Sequence, residues 1–151
     1  MIKLNFPDYE FRIVEKESKF SIFDPVRKKY VALTPEEWVR QHVILYLVLE
    51  KQVPMALIGS EVEIRLYNTR KRFDLAVYDR NGQALLVVEC KAPSVPINQS
   101  VLDQAVRYNL TMKVGYLMLT NGMSHLYCHI DSTTGNIRQI DNLPDFKGLQ
   151  F

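Results

Sequence analysis

Cysteine is scarce. The 151 residues hold two, Cys90 and Cys128, too few and too far apart for a thiolate metal site. That usage fits a reducing cytoplasm better than a secreted, disulfide-built scaffold, so a cytoplasmic location is expected. Histidine is also sparse, at three residues. His42 has no second histidine at ligand spacing, and His125 with His129 would need further ligands to hold zinc. No apolar run approaches the ~18 residues of a membrane-spanning helix, and the N-terminus carries no signal-peptide pattern. Neither a membrane nor an export route is therefore expected. The net charge of +2 is too small to advertise nucleic acid by itself. A DNA-facing surface would have to come from local clusters, of which there are two, Arg27-Lys28-Lys29 and Arg70-Lys71-Arg72. Also missing is a Gly-x-x-x-x-Gly-Lys-[Ser/Thr] phosphate loop, so this stretch cannot itself drive a nucleotide-powered motor.

What is present reads as one globular domain: 47% of the residues are hydrophobic and 24% charged. Residues 1–33 alternate in short runs broken by Asp24-Pro25, and predict an added N-terminal antiparallel hairpin of two or three short strands that lengthen or cover one edge of the sheet. Thr34-Pro35-Glu36-Glu37 opens a helix, with Thr34 as N-cap, Pro35 at the first helical position and Glu37 placed to close a capping box. Val53-Pro54 stops it. Glu61 to Tyr67 alternates as a strand with one wet face, which makes Glu61 and Glu63 surface residues. Ser100 is placed to cap a second helix, with Asp103 three residues on. Val114 to Thr120 is apolar throughout, as a strand covered on both faces should be. Ser124 to Ile130 returns as another strand. The core spans residues 34–130, and 131–151 reads as an edge strand and a tail. The whole predicts an α/β domain, a mixed sheet flanked by helices.

The stretch from Arg72 to Lys91 organises the rest. Two apolar runs flank a turn carrying Asn81-Gly82, which predicts a β-hairpin. Glu89 and Lys91 stand two positions apart at the end of the second run and so share a face. An antiparallel pairing puts Asp74 across from Glu89. Two carboxylates and a lysine converging on a greasy hairpin suit a hard divalent cation, Mg²⁺ with Mn²⁺ as a substitute. The chemistry they suit is phosphodiester hydrolysis, with Lys91 orienting the water or stabilising the transition state.

Asp74 followed by Glu89-Cys90-Lys91 resembles the Asp…Glu-x-Lys signature of the PD-(D/E)XK nuclease superfamily, with Phe73 where the proline of that name would stand. Gln104-Ala105-Val106-Arg107-Tyr108 resembles the Gln-x-x-x-Tyr helix that follows the lysine in its exonuclease and restriction branches. The likeness is strongest to the N-terminal nuclease domain of the R subunit of type I restriction enzymes, and runs from about Thr34 to Asn121. It implies the αβββαβ restriction-endonuclease-like core and a metal held by Asp74, Glu89 and the Cys90 backbone carbonyl. It also implies catalytic roles for Asp74, Glu89 and Lys91, supported by Gln104, Tyr108 and Glu36, the last standing four residues before Arg40. The partners implied are DNA and other restriction–modification subunits, with a homodimer left open. Two other readings stand beside this one. The chain could be a catalytically silent nuclease-fold module that binds nucleic acid or protein, or Asp74, Glu89 and Lys91 could be an ordinary cross-strand ion pair.

Overall fold

The computed structural model describes residues 1–66, 68–112, 114–131 and 133–151, without the side chains of residues 66, 69 and 108–112. Nine strands and three helices run in the order β1 (Ile13–Lys16), β2 (Lys19–Asp24), β3 (Lys29–Ala32), α1 (Pro35–Leu45), β4 (Ile58–Leu66), β5 (Thr69–Tyr78), β6 (Ala84–Cys90), α2 (Gln99–Met112), β7 (Tyr116–Thr120), β8 (His125–Ile130), β9 (Ile137–Ile140) and α3 (Phe146–Leu149). Strands β4 to β9 form one six-stranded sheet in chain order. Its β6–β7 pair is parallel and bridged by α2, while the other pairs are antiparallel. This is the mixed α/β architecture expected.

The sheet has an apolar layer on each face. On one side Val39, Val43, Ile44 and Leu47 of α1 and the turn after it pack on Leu75, Val77, Leu86, Val88 and Met118. On the other, Leu102 and Ala105 of α2 pack on Phe73, Ala76, Val87, Leu117 and Leu119. Strand β7, buried along its whole length, lies between the two layers, as its unbroken apolar run requires.

Local signals decide most element ends. Thr34 accepts the Glu37 N–H at 3.0 Å and Pro35 starts the helix. The other half of the capping box is missing, because Thr34 N–H goes to the Ala32 carbonyl and the Glu37 carboxylate turns to Arg27 and Gln41. Instead of running on as α-helix, α1 widens after Leu45 into a π-helical turn over Tyr46–Glu50. Asp79 ties the β5–β6 turn by accepting from Asn81 and Gln83 N–H, with Gly82 at φ +84°. Asn98, rather than Ser100, caps α2: its side chain accepts the Val101 N–H and its carbonyl the Leu102 N–H.

Two expectations for the chain's flanks need correction. The N-terminal segment does add three antiparallel strands, β1-β2-β3, but they form a sheet of their own and do not lengthen the main one. The segment read as a tail packs inward: Leu143 and Leu149 are 2% and 4% exposed and join the α1-side core. Phe146 N–H is held by the Lys51 carbonyl. Apolar side chains this short a distance from the chain end still gain most by burial. Among the described residues no helix is long and apolar enough to cross a membrane.

Candidate active site

The β5–β6 register pairs Leu75 with Val88 and Ala76 with Val87. Carried one step further, it sets Asp74 across from Glu89 at the end of the ladder. The pleat breaks at this point. Phe73 packs in the α2-side layer and Leu75 in the α1-side layer, although both are odd-numbered on one strand. Across β4, Glu61 lies between the pairs Ser60–Leu75 and Val62–Phe73, and its backbone is left-handed, at φ +53°. A non-glycine residue in that region is strained by about 1 kcal/mol or more, and such strain gathers at functional sites.

The break turns the Asp74 carboxylate toward β6. Asp74 Oδ2 accepts the Cys90 backbone N–H at 2.7 Å, where a ladder carbonyl would otherwise stand. A residue's N–H and C=O leave an extended strand on the same edge, so the Cys90 carbonyl shares the edge that Asp74 faces. The Cys90 thiol goes the other way, into the core at 2% exposure. Asp74 Oδ1 is 3.4 Å from Arg40 Nη2, and that same nitrogen is 3.8 Å from Glu36 Oε1. Arg40 therefore bridges the two carboxylates from α1. Its other end reaches Ser60 Oγ at 3.3 Å and Glu61 Oε1 at 3.5 Å.

Burial lifts the Asp74 carboxyl above the usual carboxylate range, and the Glu89 charge adds to this. The Cys90 N–H, Arg40 and Lys91 pull the other way without overcoming it. Glu36 is raised as well, first by burial and then by Asp74, with Arg40 and Lys91 opposing. These couplings put Glu36, Asp74, Glu89 and Lys91 in one electrostatic neighbourhood.

Glu89 and Lys91 line a cavity of about 110 Å³ together with Lys71, Val101, Gln104 and Ala105. Gln104 thus comes from the first turns of α2 to the same hollow. The Tyr108 side chain lies outside the described residues. Among the described residues Glu89 Oε1 is sealed from solvent and accepts no hydrogen bond, while Lys71 Nζ stands 3.3 Å away as an ion-pair partner. A desolvated carboxylate oxygen aimed into a small polar hollow, with the Asp74 carboxylate close enough to feel its charge, is oxygen chemistry of the kind a hard cation takes. Asp74 and Cys90 do not themselves line that hollow. Among the described residues no three His, Cys, Asp or Glu side chains gather as metal ligands.

Three features escaped the sequence reading. Lys71 was grouped with Arg70 and Arg72 as a DNA-facing cluster, yet it turns inward to Glu89. Glu61 is exposed, as expected, but its carboxylate also pairs with Arg40, Arg27 and Arg72. Arg27, read as part of a basic turn, is taken up internally by Asp24, Glu37 and Glu61. Lys71 and Glu61 find partners far along the chain, around a kink that alternation does not encode, while Arg27 is drawn in by Asp24 three residues before it together with Glu37 and Glu61.

Comparison with known proteins adds a family and a fold. The sequence model described as "Type I restriction enzyme R protein N terminus" matches residues 35–144. A fragment of a presumed HsdR subunit of a type I restriction enzyme from Vibrio vulnificus YJ016 has the same fold, with a TM-score of 0.54 and 22% identity over 78% of this chain. The match spans only 25% of that longer chain. A presumed nuclease belonging to DUF820 from Anabaena variabilis ATCC 29413 is a looser likeness, at TM-score 0.45 and 11% identity over 85% of this chain and 80% of that one. No curated protein matches.

Proposed function

The chain belongs to the family of type I restriction enzyme R protein N-terminal domains, and from that premise we propose that it is a Mg²⁺-dependent nuclease domain that hydrolyses DNA phosphodiester bonds within a restriction–modification system. One observation carries the reading: Asp74 and the Glu89-Cys90-Lys91 run meet at the end of the β5–β6 ladder, under the start of α2.

Asp74, Glu89 and the Cys90 carbonyl are the groups that would hold the cation. When bound, Mg²⁺ supplies charge neutralisation at the phosphorus and a water of lowered pKa. The chain's own residues do the rest. Arg40 holds Asp74 by one oxygen and the Cys90 N–H holds the other, so the carboxylate does not have to be ordered at the moment of reaction. Lys91, tied by its backbone N–H to the Thr120 carbonyl, brings its ammonium to the same hollow, to orient the attacking water or stabilise charge on the transition state. Water oxygen bonds to phosphorus as the ester P–O bond breaks, leaving a phosphate and a hydroxyl. Gln104 can donate to a phosphate oxygen from α2, and Tyr108 is the second residue of the Gln-x-x-x-Tyr pattern. Glu36 acts on the site through Arg40.

Incubation of supercoiled and linear DNA with the chain and Mg²⁺ tests this. Cleavage that stops with chelator and falls by about 10²–10³-fold in Lys91→Ala is expected. No cleavage by the wild-type chain, or an equal rate in the alanine variant, would overturn it.

A further inference from the structure

Lys71 does something that neither the family signature nor the basic run around it accounts for. On β5 it is flanked by Arg70 and Arg72, whose side chains are 69% and 70% exposed, but its own is only 28% exposed. The ammonium folds back over the Phe73 ring, 6.0 Å from its centre, and stops 3.3 Å from Glu89 Oε1. That oxygen is buried and takes no hydrogen bond among the described residues, so its contact with Lys71 is one of charge. Lys71 therefore stands on one of the oxygens that the nuclease reading assigns to the metal. A hollow of about 110 Å³ that already contains Lys91 cannot hold a divalent ion and a second ammonium against one carboxylate without strong like-charge repulsion. A lysine has a flexible stem and can leave; the way out runs along β5, between two exposed arginines.

We propose that Lys71 is the internal counter-ion of Glu89, which holds this carboxylate in place before a divalent cation arrives and is then released onto a phosphate of the nucleic acid. The proposal rests on the nuclease reading of the site. It makes metal binding an exchange of one cation for another, and it couples that exchange to substrate grip.

The test is calorimetric titration of Mn²⁺ into the full chain, comparing wild type with Lys71→Met and Lys71→Arg. Removing a partly buried competitor should tighten Mn²⁺ binding about three- to tenfold in the methionine variant. The arginine variant should stay within about twofold of wild type. Lys71→Gln repeats the measurement with an uncharged polar chain in case the methionine variant fails to fold. A second readout uses duplex DNA in the Lys91→Ala background, which removes turnover. With Mg²⁺, Lys71→Met should lower the slope of log K against log salt by about one phosphate contact, and with chelator it should leave the slope unchanged. Equal or weaker Mn²⁺ binding in both neutral variants, beside Asp74-dependent uptake by the wild type, would sink the counter-ion role and leave the nuclease reading standing. A slope that falls equally with and without metal would sink it too. Absence of Mn²⁺ uptake by the wild-type chain would sink both.

Discussion

The Cys90 backbone N–H donates to the Asp74 carboxylate at 2.7 Å, so a side chain closes a ladder that backbone carbonyls close elsewhere. This bond reconciles two demands on β6. Cys90 must stay in the core, where burial holds its thiol far from ionising, while the residues either side of it must face a polar hollow. Because the ladder ends on a carboxylate, the strand can deliver a hydrophobic side chain inward and a carbonyl outward at one residue.

Asp74 is held at a cost that a pH series can expose. Its carboxyl lies above the ordinary range, chiefly because burial strips it of water. A raised folded value means that the folded chain keeps a proton which the unfolded chain has released. Stability from this group is then full below the unfolded carboxylate range, near ~4, and is lost as pH rises through the folded value. Asp74→Asn, which can still accept the Cys90 N–H, should therefore melt above wild type at neutral pH without metal. That advantage should shrink on acidification, and Mg²⁺ should stabilise only the wild type. Thermal melts from pH 4 to 8 check it; an advantage that is constant with pH would refute the assignment of cost to Asp74.

The start of α2 offers a sharper mutational contrast. Asn98 accepts the Val101 N–H at 3.0 Å, whereas Ser100 sits inside the first turn. Asn98→Ala should cost about 1 kcal/mol in denaturant unfolding, and Ser100→Ala only a few tenths. The reverse order would restore the cap to Ser100. Because this turn carries Val101 and Gln104 over the hollow, the asparagine variant should also lose nuclease rate.

At the β7–β8 turn, Gly122 adopts φ +86°, and a Cβ there would come within 2.9 Å of Leu4 Cδ2 and 3.0 Å of Val39 Cγ2. Gly122→Ala combines a left-handed backbone with a clash against the α1-side core. A loss of about 2 kcal/mol is expected by urea unfolding; a neutral result would mean that the turn relaxes freely.

How much of this could be read from the chain follows from how local each interaction is. The α1 cap at Thr34, the Asp79 turn and the β5–β6 hairpin that carries Asp74 and Glu89 depend on periods of two and 3.6 and on neighbours a few residues away. They were legible. The parity break at Asp74 was not, because it turns on the left-handed backbone of Glu61, a residue type that gives no warning of such a conformation. Lys71 followed from that break and was lost with it. Glu37 reads as closing a capping box, which its carboxylate does not do, because Arg27 of the N-terminal sheet and Gln41 take it. Leu143 and Leu149 looked like tail residues because Leu143, Phe146 and Leu149, though spaced by three, span too short a stretch to establish a helical period.

Arg27 gives the last prediction, and it concerns a part of the chain beyond the family match at 35–144. Asp24 is fully buried at the end of β2. Burial would raise its carboxyl, but the Arg27 backbone N–H, guanidinium and charge, with the Val26 N–H, outweigh that and hold it below the usual range. The same guanidinium donates to Glu37 at 2.8 Å and stands 3.6 Å from Glu61. Arg27 thus neutralises one acid from the N-terminal sheet, one from α1 and one from β4. Arg27→Met keeps the stem but strands a buried carboxylate and sets two others against each other, so a loss of about 3 kcal/mol is expected in urea at neutral pH. The Arg65–Glu63 pair on exposed β4 serves as control: Arg65→Met should have no measurable effect. Since Asp24 is lowered in the folded chain, its contribution in the wild type is present above the unfolded carboxylate range and fades as pH falls through the folded value. The variant should lose that acid-sensitive part, so the two stability curves should converge toward low pH. Parallel curves would mean that Arg27 acts by packing alone, and that the charge link from the N-terminal sheet through Glu37 and Glu61 toward Arg40 and Asp74 is not what holds them together.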